Sequence, residues 1–144
     1  MLKIKMNMRK LNLFYSLLAF LWSPLVAQEA VLTPEFHKSK RDALRAKMPA
    51  NSVAVLFSNP VRNRANDVDY VYHPDPNFYY LTGFKEPQAV LVVYKNPQQD
   101  EQGQYVDQLF VQERNPTKEQ WNGYRLGVEG AKALGVDRVL LRSE

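Results

Sequence analysis

No cysteine occurs among the 144 residues. That one absence excludes a disulfide framework, thiolate zinc sites, iron–sulfur clusters and thiol catalysis together. Histidine is nearly missing as well, with only His37 and His73, and no HExxH or similar ligand pairing is present. There is no GxSxG nucleophile elbow, no P-loop and no dinucleotide-binding glycine pattern. Acidic residues are absent before Glu29, while Lys3, Lys5, Arg9 and Lys10 crowd the first ten positions. The formal charge of +4 comes from those four cations, and setting them aside leaves 15 cations against 15 anions. A neutral body argues against a nucleic-acid or anionic-membrane partner recognised through a general positive field.

A membrane-spanning apolar run is also lacking. Leu11 to Trp22 is apolar apart from Asn12, Tyr15 and Ser16, and its twelve residues make about 18 Å of helix against a hydrocarbon core of about 30 Å. The order is basic residues, apolar stretch, Ser23-Pro24 and small residues to Ala27, the pattern of a secretory signal peptide. Cleavage after Ala27 is expected, giving a signal peptide over 1–27 and a mature domain over 28–144. The expected destination is periplasmic or extracellular, with no stable membrane anchor.

The remainder has globular composition, with 45% hydrophobic, 24% charged and 12% aromatic residues. Roughly 115 residues bury on the order of 65% of their extended surface, enough for one core. Thr33, Pro34 and Glu35 read as an N-cap, a first-turn proline and an acid at the positive helix end. Phe36, Ala43, Leu44 and Met48 form the apolar stripe of a helix that stops before Pro49. Lys38, Lys40, Arg41, Arg45 and Lys47 are expected on its solvated side, and His37 is expected to be exposed. Ser52 to Ser58 reads as a strand buried on both faces. Phe78–Thr82 and Ala89–Tyr94 read as an antiparallel strand pair joined through Gly83–Pro87.

A polar loop over 96–104 precedes a strand at Asp107–Val111. Glu119 to Leu126 reads as a short helix or turn. Val128, Ala131 and Leu134 mark another helix closed by Gly135, and Val136–Leu141 a last strand. This succession predicts an α/β domain with a mixed β-sheet flanked by helices.

Candidate chemistry concentrates in Arg62–Pro87. Arg62, Arg64, Asp67, Asp69, Tyr70, Tyr72, His73 and Asp75 there suit either a hydrogen-bonded network or the rim of a neighbouring site. Asp67, Asp69 and Asp75 around His73 fit turn chemistry better than a metal site. Trp121, beside Asn122-Gly123 in a polar stretch, reads either as a contact residue or as a core tryptophan under a loop.

Several runs occur together and in order: Asn51-Ser52-Val53-Ala54-Val55-Leu56; Arg64-Ala65-Asn66-Asp67 with Tyr70 and Tyr72; Phe78-Tyr79-Tyr80-Leu81-Thr82-Gly83-Phe84; and Glu86-Pro87. They continue with Glu119 and Trp121, Gly123, Arg125-Leu126-Gly127, and Leu134-Gly135-Val136-Asp137. In these the chain resembles the N-terminal domain of Xaa-Pro aminopeptidases, the aminopeptidase P or creatinase/prolidase N-terminal family. The resemblance implies a ribonuclease H-like mixed sheet preceding a catalytic domain of the pita-bread type. That partner domain would hold two metal ions, usually manganese, on two aspartates, a histidine and two glutamates, and would remove an N-terminal residue that precedes proline. It is expected outside these 144 residues, so no catalytic or metal-ligating residue is assigned within them.

The resemblance further implies a homo-oligomer, in which this domain shapes a neighbouring subunit's substrate entrance for Xaa-Pro peptides. The residues matching that role are Trp121 and Asp67, with Arg64 and Arg125. Val71, His73 and Tyr124 depart from the family's usual proline, arginine and arginine. A stand-alone peptide-binding module is the alternative expectation. An independent hydrolase using His73 and Asp75 is a third, for which no nucleophile accompanies them.

Overall fold

The computed structural model describes residues 32–142; the expected signal peptide lies outside them. The first helix, α1 (Pro34–Lys47), starts and stops where its caps require. Thr33 Oγ1 accepts the Phe36 amide at 3.3 Å, Pro34 supplies the first turn, and the chain turns extended at Met48, ahead of Pro49. At the other end Lys95 donates to the Arg45 and Ala46 carbonyls at 2.8 and 3.2 Å, a cation on the negative helix terminus.

Strand β1 (Val53–Phe57) follows, then a small hairpin of β2 (Asn63–Ala65) and β3 (Val68–Asp69), and α2 (Pro76–Thr82). Strands β4 (Val90–Asp100) and β5 (Gly103–Val111) form a long hairpin. Next come α3 (Pro116–Asn122), α4 (Gly127–Ala131), a 3₁₀ turn at Lys132–Leu134, and β6 (Arg138–Leu141). The main sheet runs β1-β4-β5-β6. Its first two pairings are antiparallel and β5–β6 is parallel, so the sheet is mixed, as expected. The crossover to the parallel strand is made by α3, α4 and the 3₁₀ turn, as a parallel pair demands.

Ala54, Leu56, Leu91, Val93, Leu109, Val111 and Val139 lie on one sheet face by register and pack with Phe78, Leu81, Phe84, Ala131 and Val136 into the core. Four sequence expectations fail here. Phe78–Thr82 is helical: Asp75 caps it by accepting the Phe78 amide at 2.8 Å, Pro76 opens it, and Gly83 closes it at φ +72°. The antiparallel partner of β4 is therefore β1 rather than that segment. β1 is an edge strand with Val53, Val55 and Phe57 exposed on the face away from the core, so it is not buried on both sides. The expected loop over 96–104 is strand on both sides of a tight turn at Glu101-Gln102.

The fourth failure concerns α1. His37 and Arg41 are its buried residues, whereas Ala43 is exposed. His37 Nδ1 donates to the Tyr80 carbonyl at 2.9 Å, with its ring edge-on to Phe36 and Tyr79. Arg41 donates to Asp107 Oδ2 at 2.7 Å, to the Leu81 carbonyl at 2.9 Å and to the Gly135 carbonyl. Asp107 is itself 1% exposed, and its Oδ1 accepts the Asp137 amide at 2.8 Å. A guanidinium is buried without large cost only when its charge is balanced and its nitrogens find acceptors, and here each of the three nitrogens has one, from three different segments.

Candidate functional site

The dense segment Arg62–Pro87 resolves into several parts. Arg64 lies in β2, and Asp67 follows Asn66 in the hairpin turn, where Asn66 adopts φ +53°. Both are exposed. The hairpin is held locally, Asn63 Nδ2 donating to the Asn66 and Val68 carbonyls at 2.9 and 3.2 Å. Past it the chain crosses a shallow hollow of about 390 Å³ lined by Asn59, Arg62, Tyr70, Tyr72 and His73. His73 is exposed, and Asp75 is committed to capping α2, so the two do not form an acid–base pair.

Trp121 stands on the last turn of α3 at 87% exposure, which excludes the core alternative for it within the described chain. α3 is short and is set by Asn115, whose Oδ1 accepts the Thr117 and Lys118 amides, with Pro116 in the first turn. Gly123 then turns the chain out of the helix at φ +77°. Glu119 braces the following loop, its Oε1 accepting the Arg125 amide at 3.3 Å and Arg114 Nε at 3.1 Å. The Arg114 guanidinium sits 4.6 Å from the centre of the exposed Tyr124 ring.

Among the described residues, no hydrogen bond or ion pair joins Arg64 or Asp67 directly to Trp121 or Arg125. The two segments meet instead through Glu86. Its main-chain carbonyl accepts the Tyr72 hydroxyl at 3.2 Å, and its Oε1 accepts the Leu126 amide at 2.7 Å. Burial pushes the Glu86 carboxyl above the usual carboxylate range; the Leu126 amide and Arg125 oppose that, and Glu119 adds to it. Sequence reasoning placed Glu86 in a motif without seeing this role. The following proline was the available signal, because it confines Glu86 to extended backbone.

Among the described residues, no three His, Asp or Glu side chains converge as metal ligands, so the donor set does not fit the implied manganese centre. No described helix is long and apolar enough to cross a membrane.

The family described as "Aminopeptidase P, N-terminal domain" matches residues 37–143. The chain belongs to that family. It is 42% identical over 111 residues to the Xaa-Pro aminopeptidase of Escherichia coli, covering 76% of this chain and 24% of that protein. It is 38% identical over 115 residues to intermediate cleaving peptidase 55 of Schizosaccharomyces pombe, covering 77% and 23%. Among solved structures, aminopeptidase PepP of Pseudomonas aeruginosa superposes with a TM-score of 0.67 at 37% identity, over 75% of this chain and 24% of that one. The chain thus spans about a quarter of the length of these relatives.

Proposed function

We propose that this chain is the assembly and substrate-gating domain of an exported Xaa-Pro metallo-aminopeptidase. The carrying observation is Trp121, a tryptophan left 87% exposed on the last turn of α3 in a chain of the aminopeptidase P N-terminal family. A solvated indole of that size is poorly placed in an isolated domain and well placed against a partner surface. In this reading Trp121 and Asp67, with Arg64 and Arg125, border the substrate entrance of a neighbouring subunit in a homo-oligomer. Proline-containing peptides suit an aromatic wall, because the pyrrolidine ring is apolar and its backbone is already restricted. Asp67 is suited to a cationic peptide end and the two arginines to carboxylates. The metal, manganese in this reading, would be held by a C-terminal catalytic domain. Export is supported by the basic, apolar and small-residue order of residues 1–27.

Hydrolysis of an Xaa-Pro peptide with manganese should be measured for the 144-residue chain and for the longer protein carrying it. The short chain should release nothing and the longer one should turn over. Trp121→Ala in the longer protein should raise KM or lower kcat about ten-fold or more, as for a buried aromatic contact, while thermal stability holds. Turnover by the short chain, or wild-type kinetics in Trp121→Ala, overturns the reading. Peptide binding by a protein with no catalytic domain would favour the stand-alone module instead.

A further inference from the structure

Among the described residues, one buried side-chain polar atom has no hydrogen-bond partner: Glu86 Oε2. Leaving a carboxylate oxygen unpaired away from water is unfavourable, and an apolar residue of similar volume would avoid it. What the carboxylate does instead is done by its other oxygen. Oε1 accepts the Leu126 amide at 2.7 Å, a charge-strengthened bond spanning 40 residues of sequence. Leu126 ends the loop that begins at Gly123, just past Trp121, and Gly127 beyond it takes φ +60° with Arg114 closely packed against its α-carbon. Within that loop Glu119 holds Arg125, but Glu119 lies on α3 itself and moves with it. Arg114 ties Glu119 to the chain entering α3 and the Leu126 side chain packs on the core, but Glu86 is the side chain that hydrogen-bonds the Leu126 backbone from a distant segment. On its other side the Glu86 carbonyl receives Tyr72, which lies in the chain leading from the β2–β3 hairpin. Pro87, buried, restricts Glu86 to extended backbone.

We propose that Glu86 is a positioning residue: a latch that fixes the Gly123–Leu126 loop, and with it the end of α3 that carries Trp121, in register with the Asp67-bearing segment. The inference rests on the gating reading for its consequence in turnover, but not for its geometry. It predicts that substrate capture is set by a side chain that need not touch substrate, because loosening one anchor lets the indole and the Arg125 side chain wander from the geometry binding requires.

The test uses the longer protein carrying this domain. Glu86→Met keeps the volume and removes the acceptor, and Glu86→Gln restores an acceptor without the charge. Deuterium uptake is read by mass spectrometry on a peptide spanning residues 120–127, with one spanning 107–111 in β5 as the internal standard. In Glu86→Met the loop peptide should exchange about ten-fold faster or more, the scale of losing one charged hydrogen bond, while the β5 peptide is unchanged. KM for an Xaa-Pro peptide should rise about five-fold or more with kcat within about two-fold, the split expected when positioning for capture is lost. Glu86→Gln should return both readouts toward wild type.

Unchanged loop exchange in Glu86→Met overturns the latch. Faster loop exchange with wild-type kinetics, in a protein where Trp121→Ala is impaired, overturns the positioning role. Faster exchange with wild-type kinetics in both variants upholds the latch and removes the gating reading.

Discussion

Replacing Asp107 with alanine tests the packing argument where the stakes are greatest. In the wild type the Arg41 guanidinium is 0% exposed and the Asp107 side chain 1% exposed, joined at 2.7 Å. Asp107 also receives Arg45 at 3.4 Å and the Asp137 amide at 2.8 Å. The alanine variant leaves a buried cation with two carbonyl acceptors and no counter-charge, and it orphans a backbone amide. Breaking a buried pair in this way costs about 3–5 kcal/mol, against a total of about 5–15 kcal/mol for a domain. For roughly 110 ordered residues each kcal/mol moves the midpoint by about 4 °C, so the melting temperature should fall by about 12–20 °C. Asp107→Asn, which keeps an acceptor for Asp137, should fall less. Urea denaturation followed by far-UV circular dichroism measures this better than tryptophan fluorescence, since Trp121 is already solvated in the native state. A loss below about 1 kcal/mol in Asp107→Ala would be the range of an exposed surface pair, and would refute the account of Arg41 as a charge held by Asp107.

Two further outcomes follow from the same geometry. Gly83→Ala should destabilise by about 1–2 kcal/mol from left-handed backbone alone, and by more because its new β-carbon would lie 2.8 Å from His37 Nε2; a thermal melt matching wild type would refute the close packing of α1 on α2. Burial holds the Glu86 proton more tightly in the folded state than in the unfolded chain, so its stabilising contribution is full below the unfolded value and is lost as pH rises through the folded one. Arg125 and Glu119 are the charged groups that bear on it. Glu86→Gln should therefore gain stability relative to wild type as pH rises above the ordinary carboxylate range, and a pH-independent difference in urea titrations would contradict this.

Much of the fold was legible wherever a local signal decides the backbone. Thr33-Pro34 opened α1 and Pro49 closed it, and Gly135 ended the 3₁₀ turn at φ +68° as a C-cap glycine does. The same grammar was present at Asp75-Pro76 and Gly83, yet the aromatic run between them reads equally as strand, and the apolar content outweighed the caps. Val53–Phe57 is apolar at every position, so no alternation revealed that one face is open. Arg41 on α1 looked like any other cation of a solvated face because its partner is 66 residues away, and only tertiary structure brings it there. The site divides along the same line. Trp121 stood out by residue type, whereas its exposure and the carboxylate that anchors the loop after it depend on contacts from distant segments.

The Arg41 network also bears on when the domain can fold. Its three acceptors lie 40, 66 and 94 residues further along the chain. A nascent chain that has not yet delivered Asp107 cannot dock α1 without burying an uncompensated cation, and one that lacks Gly135 leaves a buried guanidinium nitrogen without its acceptor, so early fragments gain little by collapsing on that helix. Folding should be late and all-or-none, waiting on the segment that reaches Gly135, with the slow kinetics of long-range closure. The arginine acts as a completeness check on the polypeptide, read out as cooperativity.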